Sequence, residues 1–285
     1  MNDRQLLGTI RDLIGHEETA DDCAAFPLEN GRLIQVSTTD MLHEATDFPQ
    51  GMTEWQMGWM SAAVSLSDVA SCGAQPTQVL IAAGLDHPER LRPIMEGAVA
   101  CAKACGTKVA GGDIDSHPEL TIVTTALGVV EREYYCRRTG ARSGDLVCAT
   151  GRPGAALAGL EGRQEYWENL VMPKPQVFTG QRIARAGATA MMDVSDGIAV
   201  SLYDMSEASG IGFVLRDQLP LLPIAEAEEY FLYGGGDYGL LFTIPRKKFV
   251  RLDVPVAVIG EVVEGTGVMR GDETVENRGY AHVWS

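Results

Sequence analysis

Acidic residues recur along the chain in five short clusters, each beside a turn signal or the start of a helix. The clusters are Asp21-Asp22, Thr38-Thr39-Asp40, Ser67-Asp68, Gly111-Gly112-Asp113 and Asp193-Val194-Ser195-Asp196-Gly197. Carboxylates beside hydroxyl groups offer the hard oxygen ligands that Mg2+ prefers. An aspartate in such a place is also a common helix cap or turn former, and for any single cluster that interpretation is the stronger one. Together the clusters are candidates for a metal site.

Asp68 is the hardest of these aspartates to explain as a cap. It lies in a run of small and apolar residues, from Trp59 to Gly73, which predicts a buried helix. A buried carboxylate requires a partner, and no Lys or Arg occurs between Arg32 and Arg90 to neutralise it. A divalent cation is the simplest partner that the nearby sequence leaves.

Metal ions held by these carboxylates would also let an acidic cleft accept a nucleotide. Several Mg2+ ions that bridge carboxylates and a triphosphate cancel the repulsion that otherwise excludes ATP. The sequence has no G-x-x-x-x-G-K-[ST] phosphate loop and no H-R-D or D-F-G kinase signature, so the common nucleotide-binding folds lose support. It also has no H-E-x-x-H pairing, which argues against a zinc enzyme. We therefore predict several Mg2+ ions, with ATP as co-substrate.

Composition and charge narrow the class of protein further. The 285 residues carry a formal net charge of -16 without a basic stripe, which argues against nucleic-acid and anionic-membrane partners. No apolar run reaches the roughly 20 residues of a membrane-spanning helix. The six cysteines form no C-x-x-C pair, as expected of reduced, buried thiols. We expect a cytoplasmic enzyme with a normal apolar core.

The elements that must position these clusters alternate between strands and helices. Apolar residues at helical spacing from Leu6 to Ile14 predict an amphipathic helix that covers a sheet. In the first half, strands are predicted at 33–37, 78–85, 107–110 and 120–130, and helices at 53–71 and 88–104. In the second half, strands are predicted at 146–150, 238–244 and 254–259, and helices at 176–186 and 198–208. An Arg-, Gly- and Ser-rich segment at 137–145 separates the halves, so we predict an α/β chain divided there.

Seven short motifs occur along the chain in an order that chance agreement does not explain. They are Asp21-Asp22-Cys-Ala-Ala, Ser-Thr-Thr-Asp40-Met-Leu, Val-Ser-Leu-Ser-Asp68-Val-Ala-Ser-Cys-Gly-Ala-Gln-Pro, Gly-Gly-Asp113, Arg138-Thr-Gly-Ala-Arg-Ser-Gly-Asp145, Asp193-Val-Ser-Asp196-Gly and Gly-Gly-Gly-Asp237-Tyr. In order and spacing they resemble the thiamine-monophosphate kinase family. Its superfamily also holds aminoimidazole ribonucleotide synthetase, selenophosphate synthetase and the hydrogenase-maturation dehydratase. The resemblance spans nearly the whole chain.

The resemblance implies an α/β (α+β) fold with two domains of mixed sheet plus helices. The N-terminal domain, residues 1–136, would bind Mg2+ and ATP and would pair with a second copy through a shared β-barrel, giving a homodimer. The C-terminal domain, residues 137–285, would cover the ATP cleft and complete the nucleotide and substrate site.

The resemblance also implies roles for individual residues. The implied Mg2+-binding positions are Asp22, Thr38, Thr39, Asp40, Asp68, Asp113, Asp193 and Asp196. The implied nucleotide contacts are Gly112, Asp113, Arg138 and Ser195, with Asp40, Asp68 and Asp113 in the catalytic role. The implied substrate residues are Asp47, Gly236 and Tyr280.

The positions implied to bind the substrate differ from the family's motifs, whereas the positions implied to bind Mg2+ and the nucleotide keep suitable residues. Asp47 stands where many relatives have a His, and Gly236 and Gly239 replace the two glutamates of the usual Gly-Gly-Glu-Asp-Tyr-Glu-Leu. Tyr280 keeps the expected aromatic side chain near the C-terminus.

The implied reaction transfers the γ-phosphoryl group of ATP in line to thiamine phosphate, giving ADP and thiamine diphosphate. The second pKa of a phosphate monoester is about 6, so the acceptor needs no strong general base near neutrality. Two alternatives stay open: an ATP-dependent enzyme of the same superfamily with a different small substrate, and a nucleotide-binding paralogue that does not catalyse. Selenophosphate synthetase loses support because the first 25 residues hold only Cys23 and no Lys.

Overall fold

The computed structural model describes residues 3–15 and 19–282 as two mixed sheets with associated helices. The strands are β1 (Ala24–Leu28), β2 (Leu33–His43), β3 (Gln75–Leu85), β4 (Val109–Ser116), β5 (Thr121–Glu131), β6 (Asp145–Ala149), β7 (Ala190–Val194), β8 (Gly212–Leu215), β9 (Gly239–Pro245), β10 (Ala257–Val263), β11 (Gly267–Arg270) and β12 (Glu273–Thr274). The helices are α1 (Asp3–Ile14), α2 (Glu44–Asp47), α3 (Glu54–Ser71), α4 (Leu91–Ala104), α5 (Ala155–Leu160), α6 (Trp167–Val171), α7 (Val177–Ala186), α8 (Ile198–Ser209), α9 (Ala227–Tyr233) and α10 (Arg246–Phe249). None of the helices in these residues combines the length and apolar character that a membrane crossing requires.

The first sheet has the order β1-β2-β5-β3-β4, and the second has the order β12-β11-β8-β10-β6-β9-β7. Neighbouring strands are antiparallel except for two parallel pairs, β3 with β4 and β11 with β8. The expected mixed α/β architecture is therefore confirmed. Within the described residues the first sheet is open, with β1 and β4 as its edges, and forms no closed barrel in a single chain.

The two sheets lie on either side of the boundary that the sequence predicts. All strands of the first sheet come from residues 24–131, and all strands of the second come from residues 145–274. The division into domains at 136 and 137 stays a prediction.

Helix α3 lies at the centre of the molecule. It begins with a capping box, in which Thr53 Oγ1 accepts a hydrogen bond from Gln56 N (3.3 Å) and Gln56 Oε1 accepts one from Thr53 N (3.0 Å). Thirteen of its 18 residues are buried, and they share one core with residues of both sheets, including Val36 and Phe242. Because apolar neighbours surround the helix, each polar side chain on it requires a partner inside the protein.

Strand alternation determines which side chains face α3. Along β5 the burial alternates residue by residue, with Ile122 and Ala126 fully buried on the face that packs against the helix. On β2 the buried residues are Ile34 and Val36, so the even-numbered side chains of this strand point toward α3. The odd-numbered ones lie on the open face of the sheet.

Most predicted elements are confirmed, with small shifts at their ends. The predicted strands at 33–37 and 107–110 extend further, to His43 and Ser116. The helix at the N-terminus is confirmed, but its expected position over a sheet is wrong. Its apolar side chains are partly exposed, from 36% at Leu6 to 79% at Leu13.

Two glycines let α3 and α4 approach each other closely. A Cβ atom added to Gly58 would lie 1.8 Å from Ile94 O, and one added to Gly97 would lie 1.8 Å from Trp55 O. Each helix therefore places a glycine against a main-chain carbonyl of the other. Any side chain at either position forces the helices apart.

We predict that Gly97→Ala lowers the free energy of unfolding by about 2–3 kcal/mol, because the new methyl group overpacks a contact between two backbones. The matched control is Gly8→Ala in α1, where no heavy atom lies within 4 Å of the added Cβ. Alanine there should stabilise the helix by up to about 1 kcal/mol. Chemical denaturation of the three proteins measures both changes, and equal midpoints would contradict the prediction.

Candidate active site

A cleft of about 660 Å3 is lined by charged residues from distant parts of the chain. Six of the predicted site residues line it: Asp22, Asp68, Arg138, Asp193, Ser195 and Asp196. They come from the segment before β1, from α3, from the segment before β6, and from the end of β7 with the loop that follows. Asp22 and Asp193, 171 positions apart, are close enough for the Asp22 carboxylate to accept a hydrogen bond from Asp193 N (3.4 Å).

The carboxylates in and behind this cleft lie close enough to repel one another. Burial raises the pKa of Asp68 well above its ordinary value, and the neighbouring charges, with Asp40 the strongest, raise it further. Burial likewise raises the pKa of Asp193, with a further increase from the charge of Asp22. The pKa of Asp40 is raised by burial too, against the lowering effect of a hydroxyl hydrogen bond. The site holds an excess of negative charge that a cation would relieve.

Hydroxyl groups hold four of these carboxylates in place. Each carboxylate accepts one short hydrogen bond at its Oδ2 atom, and the donors lie on α3 or β2. The pairs are Thr38 with Asp68 (2.6 Å), Ser65 with Asp40 (2.6 Å), Ser67 with Asp193 (2.7 Å) and Ser71 with Asp22 (2.5 Å). Of the three serines, only Ser67 belongs to a cluster that the sequence marks as a candidate, and Ser65 and Ser71 were not predicted. Their helical spacing around Asp68 is the signal that could have found them.

Arg138 brings a positive charge into the cleft. Its Nη2 atom donates to Asp22 Oδ1 (2.5 Å), and its Nη1 atom lies 4.0 Å from Asp204 on α8. Its backbone N–H donates to Asp21 Oδ1 (2.6 Å), and Arg137 Nε donates to Asp21 Oδ2 (2.6 Å). The Asp21-Asp22 pair therefore ties the segment before β1 to the segment before β6. Asp204 gave no motif signal in the sequence.

Thr39 does not share the position of its two neighbours. Thr38 and Asp40 point toward α3, whereas Thr39 points to the opposite face of β2, as strand alternation requires. Its hydroxyl donates to Thr124 O (3.2 Å) and lies 3.1 Å from Thr125 Oγ1. Its side chain therefore lies on the other side of the sheet from Asp68.

Gly112 and Asp113 lie on β4, the exposed edge strand of the first sheet, and are not among the residues that line the cleft. Asp113 is in register with Ala82 of β3, which alternates with the buried Ile81 and Ala83. This places Asp113 on the open side of the sheet. Within one chain the structure does not bring these two residues to the other carboxylates.

Two of the predicted substrate residues flank the loop that carries Ser195 and Asp196. Gly236 N donates to Ser195 O (2.7 Å), and Tyr280 N donates to Asp196 O (2.9 Å). The Tyr280 side chain is 47% exposed. Asp47 lies elsewhere: its carboxylate accepts hydrogen bonds from His43 N (2.8 Å) and Thr46 Oγ1 (2.7 Å), which closes the turn after β2.

Asp237, the acidic residue of the Gly-Gly-Gly-Asp-Tyr motif, has a structural role. Its carboxylate accepts hydrogen bonds from the backbone N–H groups of Gly154 (2.5 Å) and Ala156 (2.9 Å) at the start of α5. Burial raises its pKa to about 7, against the lowering effect of these donors. Through these hydrogen bonds, Asp237 links the Gly-Gly-Gly-Asp-Tyr motif to the start of α5.

Helix α1 contributes an apolar wall to the cleft. Leu6, Leu7 and Ile10 line it together with Arg11. The apolar spacing of the N-terminal segment predicted the helix but gave no sign of where it packs. These residues therefore line the candidate site although no motif in the sequence indicated them.

Comparisons with known proteins agree on one family. Residues 20–130 match the family model described as AIR synthase related protein, N-terminal domain. The chain is 46% identical over 288 residues to a thiamine-monophosphate kinase of Methanospirillum hungatei, with 100% of both chains covered. It is 39% identical to the thiamine-monophosphate kinase of Archaeoglobus fulgidus, covering 99% of this chain and 98% of the relative.

The fold matches a solved structure of the same kind. The structure described as AaThiL complexed with AMPPCP and TMP has a TM-score of 0.91 and 27% identity, over 99% of this chain and 97% of that chain. Identity at this level over whole chains, on the same fold, shows that the chain belongs to the thiamine-monophosphate kinase family.

Proposed function

We propose that this protein uses ATP to phosphorylate thiamine phosphate, giving thiamine diphosphate and ADP. The observation that carries the proposal is the convergence of Asp22, Asp40, Asp68 and Asp193 beside the guanidinium of Arg138. An acidic cleft of this kind suits a metal-bound triphosphate. Full-length identity to proteins named thiamine-monophosphate kinase, and a matching structure named for AMPPCP and TMP, support thiamine phosphate as the acceptor.

We propose that these aspartates, with Asp196, hold Mg2+ ions. The donor set consists of carboxylate and hydroxyl oxygens, and the mutual repulsion of the buried carboxylates is relieved by a cation. In the part of the chain that the structure describes, no three acidic side chains already surround one point as a complete set of ligands. Mg2+ typically takes only one or two protein carboxylates and completes its shell with water and substrate phosphates, so a preformed cage is not required.

The chain's own residues position and neutralise the reacting phosphates. Mg2+ bound at the aspartates supplies charge neutralisation of the donor and acceptor phosphates. Arg138 lies beside Asp22, where its guanidinium can contact the nucleotide's phosphates. Leu6, Leu7 and Ile10 form an apolar wall along one side of the cleft. The acceptor phosphate is already anionic near neutrality, so the reaction rate depends on positioning of the two reacting phosphates rather than on proton removal.

We propose that Gly236 and Tyr280 border the acceptor, because they flank the loop of Ser195 and Asp196. Asp47 and Gly236 depart from the pattern that the resemblance implies, which leaves open an enzyme of the same superfamily with a different small acceptor. A paralogue that binds the nucleotide without turnover is the second alternative. The missing glutamate at Gly236 is the feature that supports the second alternative.

We propose that two chains pair through the open face of the first sheet. This side of the sheet and its edges expose large apolar residues, among them Phe26, Met41, Leu80 and Ile114. Exposed apolar area on one sheet favours association, and pairing would also cover the edge strands. Asp113 lies on the same side, and Gly112 precedes it on the edge strand β4, so both would lie near the interface with the second copy.

We propose that the enzyme works in the cytoplasm and that its cysteines stay reduced there. All six cysteines are free and buried, and all lie within the described residues. Disulfides are rare in that compartment.

We expect purified protein with ATP, Mg2+ and thiamine phosphate to form thiamine diphosphate and one ADP for each product molecule. Chromatographic separation of the thiamine esters measures this directly. Other phosphate esters in place of thiamine phosphate test the first alternative. Tight ATP binding without ADP release on any acceptor would support the non-catalytic paralogue and contradict the proposal.

We predict that Asp68→Asn lowers turnover by about 100-fold or more, because it removes several kcal/mol of charge stabilisation through the bound cation. The fold should persist, since the amide oxygen can still accept the hydrogen bond from Thr38. The matched control is Asp253→Asn, whose side chain is 95% exposed. Steady-state kinetics and thermal melts compare the three proteins. Near wild-type turnover in Asp68→Asn would remove this residue from the site.

We also predict that the stability gained from Mg2+ is larger at high pH. Because the folded-state pKa values of Asp68 and Asp193 lie above the unfolded value of about 3.9, folding favours their protonated forms. That contribution is complete below the unfolded pKa and is lost as pH rises through the folded pKa values. Thermal melts at a series of pH values above the unfolded pKa, with and without Mg2+, measure the effect. A Mg2+ shift that does not grow with pH, or that survives in Asp68→Asn, would contradict this interpretation.

A further inference from the structure

Three serines of α3 each hold a carboxylate that belongs to a different segment of the chain. Ser65, Ser67 and Ser71 are almost fully buried, at 0%, 0% and 1% exposure. Their hydroxyls donate to carboxylates from β2, from β7 and from the segment before β1 respectively. The carboxylates are therefore fixed against one helix.

Helical spacing brings the three serines to the same side as Asp68. At about 100° per residue, positions 65, 67, 68 and 71 fall within an arc of about 160°. The fourth carboxylate of the cluster, that of Asp68, lies inside this arc and is held by Thr38 from β2. One side of α3 thus carries one carboxylate and orients three others.

A hydroxyl group can orient a carboxylate by donating a hydrogen bond. Because the hydroxyl is uncharged, it does not neutralise the carboxylate. Lys or Arg in the same place would compensate the negative charge and compete with a cation. Each serine hydroxyl donates to one oxygen, Oδ2, of its aspartate. The rotamer of the aspartate is therefore fixed, and the carboxylate keeps its negative charge. In metal sites, partners of this kind determine ligand orientation and affinity.

We propose that Ser65, Ser67 and Ser71 are positioning residues that set the cation affinity of the site through Asp40, Asp193 and Asp22. The inference rests on the proposed Mg2+ site. Ser67 gives the cleanest case, because its hydroxyl has the single partner Asp193 Oδ2 (2.7 Å) among its hydrogen bonds. Ser65 also donates to Thr124 O (3.1 Å), and Ser71 also donates to Asp68 O (2.8 Å).

The same helix offers a matched control. Ser61 lies one turn before Ser65, is 1% exposed, and donates to Met57 O (2.8 Å) of its own helix. Ser61→Ala and Ser67→Ala both remove a buried hydroxyl from the same side of α3. Only Ser67→Ala releases a carboxylate.

The experiment measures binding of Mn2+ alone to each purified full-length chain by electron paramagnetic resonance, without nucleotide or acceptor. We expect Ser67→Ala to raise the Mn2+ dissociation constant by about 10- to 100-fold, as loss of such partners typically does. Ser61→Ala should change it by less than about twofold, and thermal melts without metal should show similar losses for both variants. Equal Mn2+ affinities in the two variants would overturn the proposal, as would a wild-type chain that binds no Mn2+.

A double-mutant cycle distinguishes an effect of Ser67 that acts through Asp193 from a general loss of packing. In the Asp193→Asn background, Ser67→Ala should cause little further loss of Mn2+ affinity, because the carboxylate charge through which Ser67 acts has already been removed. Additive losses would show that Ser67 acts by another route and would overturn the assignment. Because no thiamine ester is present, a chain that binds Mn2+ as expected but fails to make thiamine diphosphate would contradict the proposed reaction alone.

Discussion

Repulsion among carboxylates that are partly removed from water is the constraint on which this structure depends. Burial and the charges of neighbouring carboxylates, including that of Asp22, raise the pKa values of Asp40, Asp68 and Asp193. Among these four carboxylates, Arg138 ion-pairs only with Asp22. Such an arrangement is unfavourable unless the surrounding fold is stable enough to impose it. The buried helix α3, packed against both sheets, provides that support.

The small residues around α3 allow the helix to carry out this role. Gly58 and Gly97 let α4 approach within backbone contact, and the alanines of the helix are fully buried. Close approach of the neighbouring elements leaves no room for long cationic side chains on α3 itself. Short hydroxyl side chains are the polar groups that fit such packing, which explains why serines hold the carboxylates.

The sequence predicted the longer strands and helices and four of the converging aspartates, because long periodic segments and ordered motifs are strong signals. It did not predict β7, since a strand of five buried residues, Ala190–Val194, has no alternation to detect. It placed Thr39 with Thr38 and Asp40 because a motif groups neighbours, whereas strand geometry separates them onto two faces. The position of α1 and the role of Asp204 depend on tertiary packing alone, which no local pattern encodes.

The two ends of the site differ in what holds their residues. At the phosphate end, side chains from α3, β2 and β7 are fixed by packed elements. At the acceptor end, Gly236 has a φ of +85°, and a Cβ added to Gly239 would lie 2.7 Å from Thr150 O. A glutamate at either position would strain the backbone or force a shift of β9. Gly236 and Gly239, where the resemblance implies glutamates, are therefore built into the local backbone path, so the proposed acceptor pocket is shaped by the main chain as well as by side chains.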